Sequence, residues 1–219
     1  MLHKSIVTCF GAFLIVALAA GPATAGPPLL CHPFDIDGAR SLPWDGRDSW
    51  FDASPTYDVQ SLAADTEALL TPSTPVLVRM ETLRRAAIYA SRDPKIAATL
   101  LGRLTSRAAA SEQSGSVDAL AFLDAAYFTE ALRQISYLGS MGEFRDRTGA
   151  MRAVVGDADG YALVRKSLAA RPGDASLEFA AALIGADRHR DAYAAHAAKA
   201  RAGAAKDPLL ARNLRQISN

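Results

Sequence analysis

The chain has 219 residues, half of them hydrophobic, with 24 basic and 23 acidic side chains and a formal net charge of +1. Binding to nucleic acid, or docking on an anionic membrane surface, requires a basic excess, so this balance argues against both. The length is sufficient for one domain that buries a hydrophobic core without disulfide support.

The first 25 residues have the pattern of a cleaved signal peptide. Lys4 precedes an apolar run over residues 6–20, and Ala23 and Ala25 are the small residues that a signal peptidase requires. We expect cleavage after Ala25 and a mature protein that is periplasmic or secreted. An uncleaved membrane anchor is the less favoured alternative, because the apolar run ends before it reaches the roughly 20 residues of a membrane span.

The mature chain is expected to be neutral and to carry one cysteine. Residues 1–25 contain Cys9 and a single basic residue, Lys4, so their removal leaves 23 basic and 23 acidic side chains. Cys31 then has no intramolecular partner in an oxidising compartment. We expect no nucleic-acid partner and no stable membrane anchor after cleavage.

Residues 26–55 differ in composition from the rest of the mature chain. They contain five prolines, which is typical of extended, irregular backbone. They also contain Phe34, Trp44, Trp50 and Phe51, and aromatic side chains bury large areas. We therefore predict an N-terminal strap that packs on the surface of a helical body spanning residues 56–219.

Helical signals dominate from Tyr57 onward and predict an all-α domain of at least seven helices with almost no strand. Thr74-Pro75 and Asp93-Pro94 each match a helix N-cap followed by proline at the first helical position. Apolar residues then recur at helical spacing after each of these starts. They are Val76, Met80, Leu83 and Ala87 in the first helix, and Ile96, Leu100, Leu104 and Ala108 in the second, with Arg103 and Arg107 off the stripe.

Residues 116–138 predict the central and longest helix, because two apolar faces leave little of its circumference for water. Asp118, Asp124, Glu130 and Arg133 are its charged residues, and we expect them to reach solvent or a local partner. A buried functional carboxylate is the alternative. Residues 139–159 contain four glycines, with a fifth at Gly160, and predict a loop with a short helix near 150–155.

The stretch "LAARPGDASLEFAAALI", residues 168–184, predicts a helix, a turn at Arg171-Pro172-Gly173 and a second helix that begins at Asp174. A further helix with Tyr193 and another opened by Asp207-Pro208 extend this pattern over roughly 60 residues. The pattern resembles the helical hairpins of tetratricopeptide (TPR) repeats. The resemblance implies antiparallel hairpins, arranged as a TPR-like α-solenoid or as a compact helical bundle.

A second resemblance lies at the other end of the mature chain. The stretch "LLCHPFDIDGARSLPW", residues 29–44, is similar to the mature start of uncharacterised secreted bacterial proteins. It implies kinship and no activity.

Two aspartate motifs and a histidine pair are candidate metal sites that the spacing does not favour. "DIDG" at 35–38 and "DADG" at 157–160 lack the first and last ligands of a calcium loop, so we interpret both as turns whose aspartate caps a following helix. His189 and His196 share a helical face, but a zinc site needs three or four converging ligands. We expect them on an exposed, polar helix start.

Cys31-His32 is the remaining candidate site. Neighbouring residues of an extended segment point to opposite sides and make a poor catalytic pair. We favour a buried structural cysteine, and the alternatives are a metal or haem ligand pair and a thiol that forms an intermolecular disulfide. The chain contains no recognisable catalytic or cofactor-binding motif.

Two classes of function remain. The favoured class is a non-enzymatic scaffold of the cell envelope whose helical hairpins bind a protein or peptide partner. The alternative is a metal-binding, haem-binding or redox protein that uses Cys31 and His32.

Overall fold

A computed structural model describes residues 28–46 and 49–217; the predicted signal peptide and its cleavage site lie outside them. The described residues form nine α-helices and no strand, so the all-α prediction is confirmed. The helices are α1 Leu62–Leu69, α2 Val76–Ala90, α3 Pro94–Gln113, α4 Ala119–Ile135, α5 Thr148–Val155, α6 Gly160–Ala170, α7 Ala175–Gly185, α8 Arg190–Gly203 and α9 Pro208–Asn213. None of these helices has the length and apolarity that a membrane crossing needs.

Aspartate side chains cap the N-termini of five of the nine described α-helices. Asp93 precedes Pro94 at the start of α3, Asp207 precedes Pro208 at the start of α9, and each carboxylate accepts a backbone N–H of the first turn. Asp159 of the "DADG" motif caps α6 in the same way. These carboxylates satisfy N–H groups that have no partner within the helix, so the predictions for Asp93, Asp207 and Asp159 are confirmed. The "DIDG" motif forms a turn in which Asp35 accepts the Asp37 N–H, but no helix begins in residues 39–46, so the predicted helix cap there is wrong.

The start of α2 differs from the prediction by one residue. Pro75 itself is the N-cap and Val76 the first helical residue. The Thr74 hydroxyl, which we expected to cap the helix, donates instead to the Leu69 carbonyl at 2.7 Å. Thr74 therefore closes the preceding turn rather than the helix.

Helix α4 lies at the centre of the fold. Sixteen of its 17 residues are buried, and it packs against α2, α3, α5, α6 and α7, which confirms the predicted central position. The prediction that it is the longest helix is wrong, because α3 has 20 residues. The Asp118 carboxylate accepts the N–H groups of Leu120 and Ala121, so α4 begins three residues later than we expected.

The C-terminal helices follow the predicted boundaries. Helix α6 ends at Ala170 and α7 begins at Ala175, with Asp174 as its N-cap. Gly173 has a φ of +82°, a conformation that costs glycine little and other residues more. The two helices pack against each other across this turn, and α8 packs on α7 in turn.

The segment before α1 contributes to the core although it contains no α-helix. Leu29, Leu30 and Leu42 are almost completely buried. The Phe34 ring packs edge-on against the rings of Tyr127 and Phe179, at centroid distances of 6.2 and 6.1 Å. The core of this protein is thus formed jointly by the helices and by this segment.

A buried carboxylate on α2 joins this segment to the helices. Glu81 accepts hydrogen bonds from the Phe34 backbone N–H at 3.0 Å and from the guanidinium groups of Arg84 and Arg85 at 2.7 to 2.9 Å. The same two arginines donate to backbone carbonyls of the segment, at Leu30, Leu42 and Trp50. Helix α2 thereby supplies hydrogen-bond partners to polar backbone that would otherwise be buried without them.

Candidate functional site: an arginine-lined recess

A recess of about 370 Å³ opens at the surface where the N-terminal ends of α2 and α4 meet the C-terminal half of α3. Its lining combines three arginines, one carboxylate and three apolar residues. They are Arg79, Arg107, Arg171, Asp118, Leu70, Pro72 and Leu120. The volume is at the lower end of the range for small-ligand sites.

Arg79 is the buried member of this recess, only 1% exposed. Its Nε donates to the Thr74 carbonyl at 3.1 Å, its Nη1 donates to Asp124 at 2.6 Å, and its Nη2 donates to the Thr71 carbonyl. Each of the three nitrogens is thus engaged, and the guanidinium group is held in one orientation.

Asp124 is the buried counter-charge behind the recess. Its Oδ2 accepts hydrogen bonds from Arg79 Nη1 at 2.6 Å and from Arg107 Nη2 at 2.5 Å. Its Oδ1 is buried and has no hydrogen-bond partner among the described residues. Burial raises the pKa of Asp124 to about 6, although the charges and hydrogen bonds of the two arginines act in the opposite direction.

Arg107 and Arg171 form the accessible side of the recess. The Arg107 side chain is 36% exposed, and its Nε is a buried donor without a partner in the described part of the chain. Arg171 is exposed in the turn after α6, and no ion pair to it occurs among residues 28–46 and 49–217. Both can therefore donate hydrogen bonds to a bound molecule.

This site was not predicted from the sequence. Asp124 was expected to reach solvent or a local partner, whereas its partners Arg79 and Arg107 lie 45 and 17 residues away along the chain. The sequence correctly predicts Arg107 off the apolar stripe of α3, but it does not predict the ion pair of Arg107 with Asp124. The available signal was local: Arg79 lies between Val78 and Met80, and Asp124 lies between Leu123 and Ala125.

Cys31 lies on a bend and is half-buried rather than buried. Desolvation raises the pKa of its thiol to about 11, against a smaller opposing effect of the Arg84 charge. The thiol is therefore protonated at neutral pH and is a weak nucleophile. His32, next to it, is exposed.

No three histidine, cysteine, aspartate or glutamate side chains converge as metal ligands would within the described ranges. Cys31 and His32 thus have no third protein ligand there. Metal or haem binding by this pair stays a prediction.

The two C-terminal histidines have more defined surroundings than an exposed helix start. His196 Nδ1 lies 2.5 Å from a Glu178 carboxylate oxygen, and its Nε2 lies 2.9 Å from the Tyr161 hydroxyl. The His189 ring stacks on Tyr161 at a centroid distance of 4.0 Å. Glu178 also accepts from Lys199 at 3.1 Å.

This cluster connects α6, α7 and α8 and has little catalytic character. Burial raises the pKa of Tyr161, so its hydroxyl stays protonated and is a poor nucleophile. A protonated hydroxyl can donate to His196 Nε2 while Nδ1–H donates to Glu178, which satisfies all three side chains. The two histidines therefore act as packing and hydrogen-bonding groups.

Comparison of this chain with protein-family models, with curated proteins and with solved structures found no significant match to any of them.

Proposed function

We propose that this protein is a non-enzymatic binding scaffold of the cell envelope, exported to the periplasm or the exterior, that binds a protein or peptide partner. The signal-peptide pattern of residues 1–25 supports the compartment. In this proposal α6, α7 and α8 are TPR-like hairpins, supported by the short turn and the packing of α6 on α7 and of α7 on α8.

The arginine-lined recess is the observation that carries this proposal. It presents cationic side chains next to apolar ones, a combination that suits recognition of a small segment of a partner. Its walls are anchored on α2 and α4, in which 14 of 15 and 16 of 17 residues are buried. Such rigid supports reduce the entropy that binding would otherwise cost.

The geometry supports binding more than catalysis. Arg79 and Asp124 are paired with each other, and arginine stays protonated throughout the physiological pH range. Asp118, the carboxylate in the lining, accepts two backbone N–H groups as the N-cap of α4. The arginines of the recess can bind an anion, and its lining contains no nucleophilic side chain paired with a base.

Export and binding can be tested on one preparation. The full chain is expressed in a Gram-negative host, and its N-terminus is determined after fractionation. We expect a periplasmic protein that begins at Gly26. Retention of residues 1–25 in the cytoplasmic fraction would contradict the assignment of the compartment.

The binding test uses that periplasmic protein and a soluble panel of fluorescein-labelled pentapeptides of varied sequence. Half of the panel carries free C-termini and half carries amidated ones. We expect saturable binding of a subset, measured by fluorescence anisotropy and lost when the protein is unfolded in urea. If no peptide of either form binds, the scaffold proposal is wrong.

A further inference from the structure

We propose that the recess recognises the C-terminal residue of a peptide, with Arg107 and Arg171 binding its α-carboxylate and the apolar lining contacting its side chain. This inference rests on the proposed scaffold function and specifies the ligand of the same site. It follows from the charge of the recess, from the donors that remain available and from the apolar lining.

The recess has a net positive charge. Three arginines line it, and the carboxylates that oppose them are Asp118 and the buried Asp124. Asp118 is directed to the first turn of α4, where its Oδ1 accepts two backbone N–H groups. The formal charge of these five side chains is +1, which suits a monoanion such as a carboxylate better than a doubly charged phosphate.

The donors that remain available belong to Arg107 and Arg171. All three nitrogens of Arg79 are already hydrogen-bonded. Toward residues 28–46 and 49–217, Arg107 donates only through Nη2, to Asp124, which leaves Nε and Nη1. Because a guanidinium group presents a planar fork of donors, it matches the two oxygens of a carboxylate.

An unsatisfied donor of the site supports an anionic ligand here. Buried polar atoms nearly always have hydrogen-bond partners, yet Arg107 Nε, a donor, has no acceptor among the described residues. Asp124 is 0% exposed, and its Oδ2 accepts hydrogen bonds from both Arg79 and Arg107. A carboxylate bound by Arg107 would give Nε an acceptor and would balance the excess positive charge around Asp124.

The apolar lining distinguishes a peptide terminus from a free inorganic anion. Leu70, Pro72 and Leu120 lie in the same recess as the arginines. An inorganic anion has no apolar surface to place against them, whereas a peptide that ends in an apolar residue carries such a side chain next to its carboxylate. Burial of that side chain adds a favourable term of about 25 cal/mol per Å² of apolar surface.

The test compares the free-acid and amidated forms of one fluorescein-labelled pentapeptide ending in leucine. Fluorescence anisotropy gives the Kd of each form for the periplasmic protein. We expect the amide to bind at least about tenfold more weakly, because it lacks the charge that strengthens hydrogen bonds to arginine. The affinity of the free acid should fall as the salt concentration rises.

Two substitutions locate the effect. Arg171→Gln should weaken binding of the free acid at least about fivefold and leave binding of the amide unchanged, since the lost interaction is with the carboxylate. The matched control is Arg103→Gln, also on an exposed arginine, paired with Glu67 at the surface of α3. Arg103→Gln should leave both affinities unchanged, and circular dichroism of each variant verifies the fold.

The outcomes separate this inference from the scaffold proposal. Equal binding of acid and amide, or equal effects of Arg171→Gln and Arg103→Gln, would overturn carboxylate recognition while the scaffold proposal stands. Absence of binding by the whole peptide panel would overturn both. Displacement of the peptide by equimolar acetate or inorganic phosphate would show a general anion site and would overturn the assignment to a peptide terminus.

Discussion

Replacement of Glu81 by glutamine tests how the N-terminal segment is held to the helices. The Glu81 carboxylate is buried and accepts from Arg84, whose side chain is also fully buried, from Arg85 and from the Phe34 backbone. Glutamine has the same size but no charge, so Arg84 would stay buried without its counter-charge. Loss of one member of such a pair costs about 3 to 5 kcal/mol, which lowers Tm by at least about 6 °C in a domain of this size.

The matched control is Glu112→Gln. Glu112 forms an ion pair with Lys166 in which both side chains are about half exposed, at 49% and 48%. Exposed pairs contribute less than about 1 kcal/mol. Urea denaturation of both variants, followed by circular dichroism and tryptophan fluorescence at pH 7, gives the two free energies of unfolding. Equal free energies of unfolding for the two variants would refute the role assigned to Glu81.

The pH dependence provides a second criterion for the same variant. Burial alone would raise the pKa of Glu81, but the hydrogen bonds and charge of Arg84, together with Arg85, hold it below its ordinary value of 4.5. The stabilisation from Glu81 is therefore complete above pH 4.5 and is lost as the pH falls through the lowered pKa. The difference in the free energy of unfolding between wild type and Glu81→Gln should become smaller in acid. A difference that does not change with pH would contradict this explanation.

Three further predictions concern α4, Cys31 and Asp124. Phe128→Ala should lower the free energy of unfolding by about 3 to 5 kcal/mol, because Phe128 is fully buried. Arg103→Ala at the surface should lower it by less than about 0.5 kcal/mol. Equal urea midpoints for the two variants would mean that the buried and exposed faces of α4 and α3 are assigned wrongly. Cys31 in native protein should react about tenfold more slowly with a thiol reagent at pH 8 than in urea, because its raised pKa reduces the thiolate fraction more than it increases nucleophilicity; equal rates would refute a desolvated thiol. The pKa of Asp124 is about 6 in the folded protein, against 3.8 for the free side chain. The contribution of Asp124 to the free energy of unfolding is therefore greatest below pH 3.8. It falls by up to about 3 kcal/mol as the pH rises through 6. The difference in this free energy between wild type and Asp124→Asn, measured at pH 4 and pH 7, should change by that amount, and an unchanged difference would contradict the raised pKa.

The sequence was sufficient to predict the features that depend on neighbours along the chain. An aspartate before proline predicted the starts of α3 and α9, because a cap and the N–H groups that it accepts lie within three residues. The apolar surplus of residues 116–138 predicted a central helix, because a helix with little polar surface must be surrounded by other elements. The predicted start of α2 was off by one residue, because the Thr74 hydroxyl donates to the Leu69 carbonyl of the preceding turn instead of capping the helix.

The candidate site depends on contacts that no local pattern contains. Periodicity shows that Arg107 is off the apolar stripe of α3, but only the packing of α3 on α4 places its guanidinium 2.5 Å from Asp124. Arg171 is a turn residue in the sequence, and the fold places it in a recess whose other lining residues lie more than 50 positions earlier. The pairing of a buried charge is decided by which helices are adjacent in space, and that is a property of tertiary structure.

The chain itself thus determined its helices, their caps and the central place of α4, since these follow from backbone hydrogen bonding and from apolar residues repeating within one element. Tertiary structure alone decided that Glu81 joins the N-terminal segment to α2, and that Arg79 and Arg107 converge on Asp124. The physical reason is the cost of burying charge. A buried ion is tolerated only where the folded chain brings an opposite charge or a hydrogen-bond partner within reach, and sequence spacing does not specify that distance.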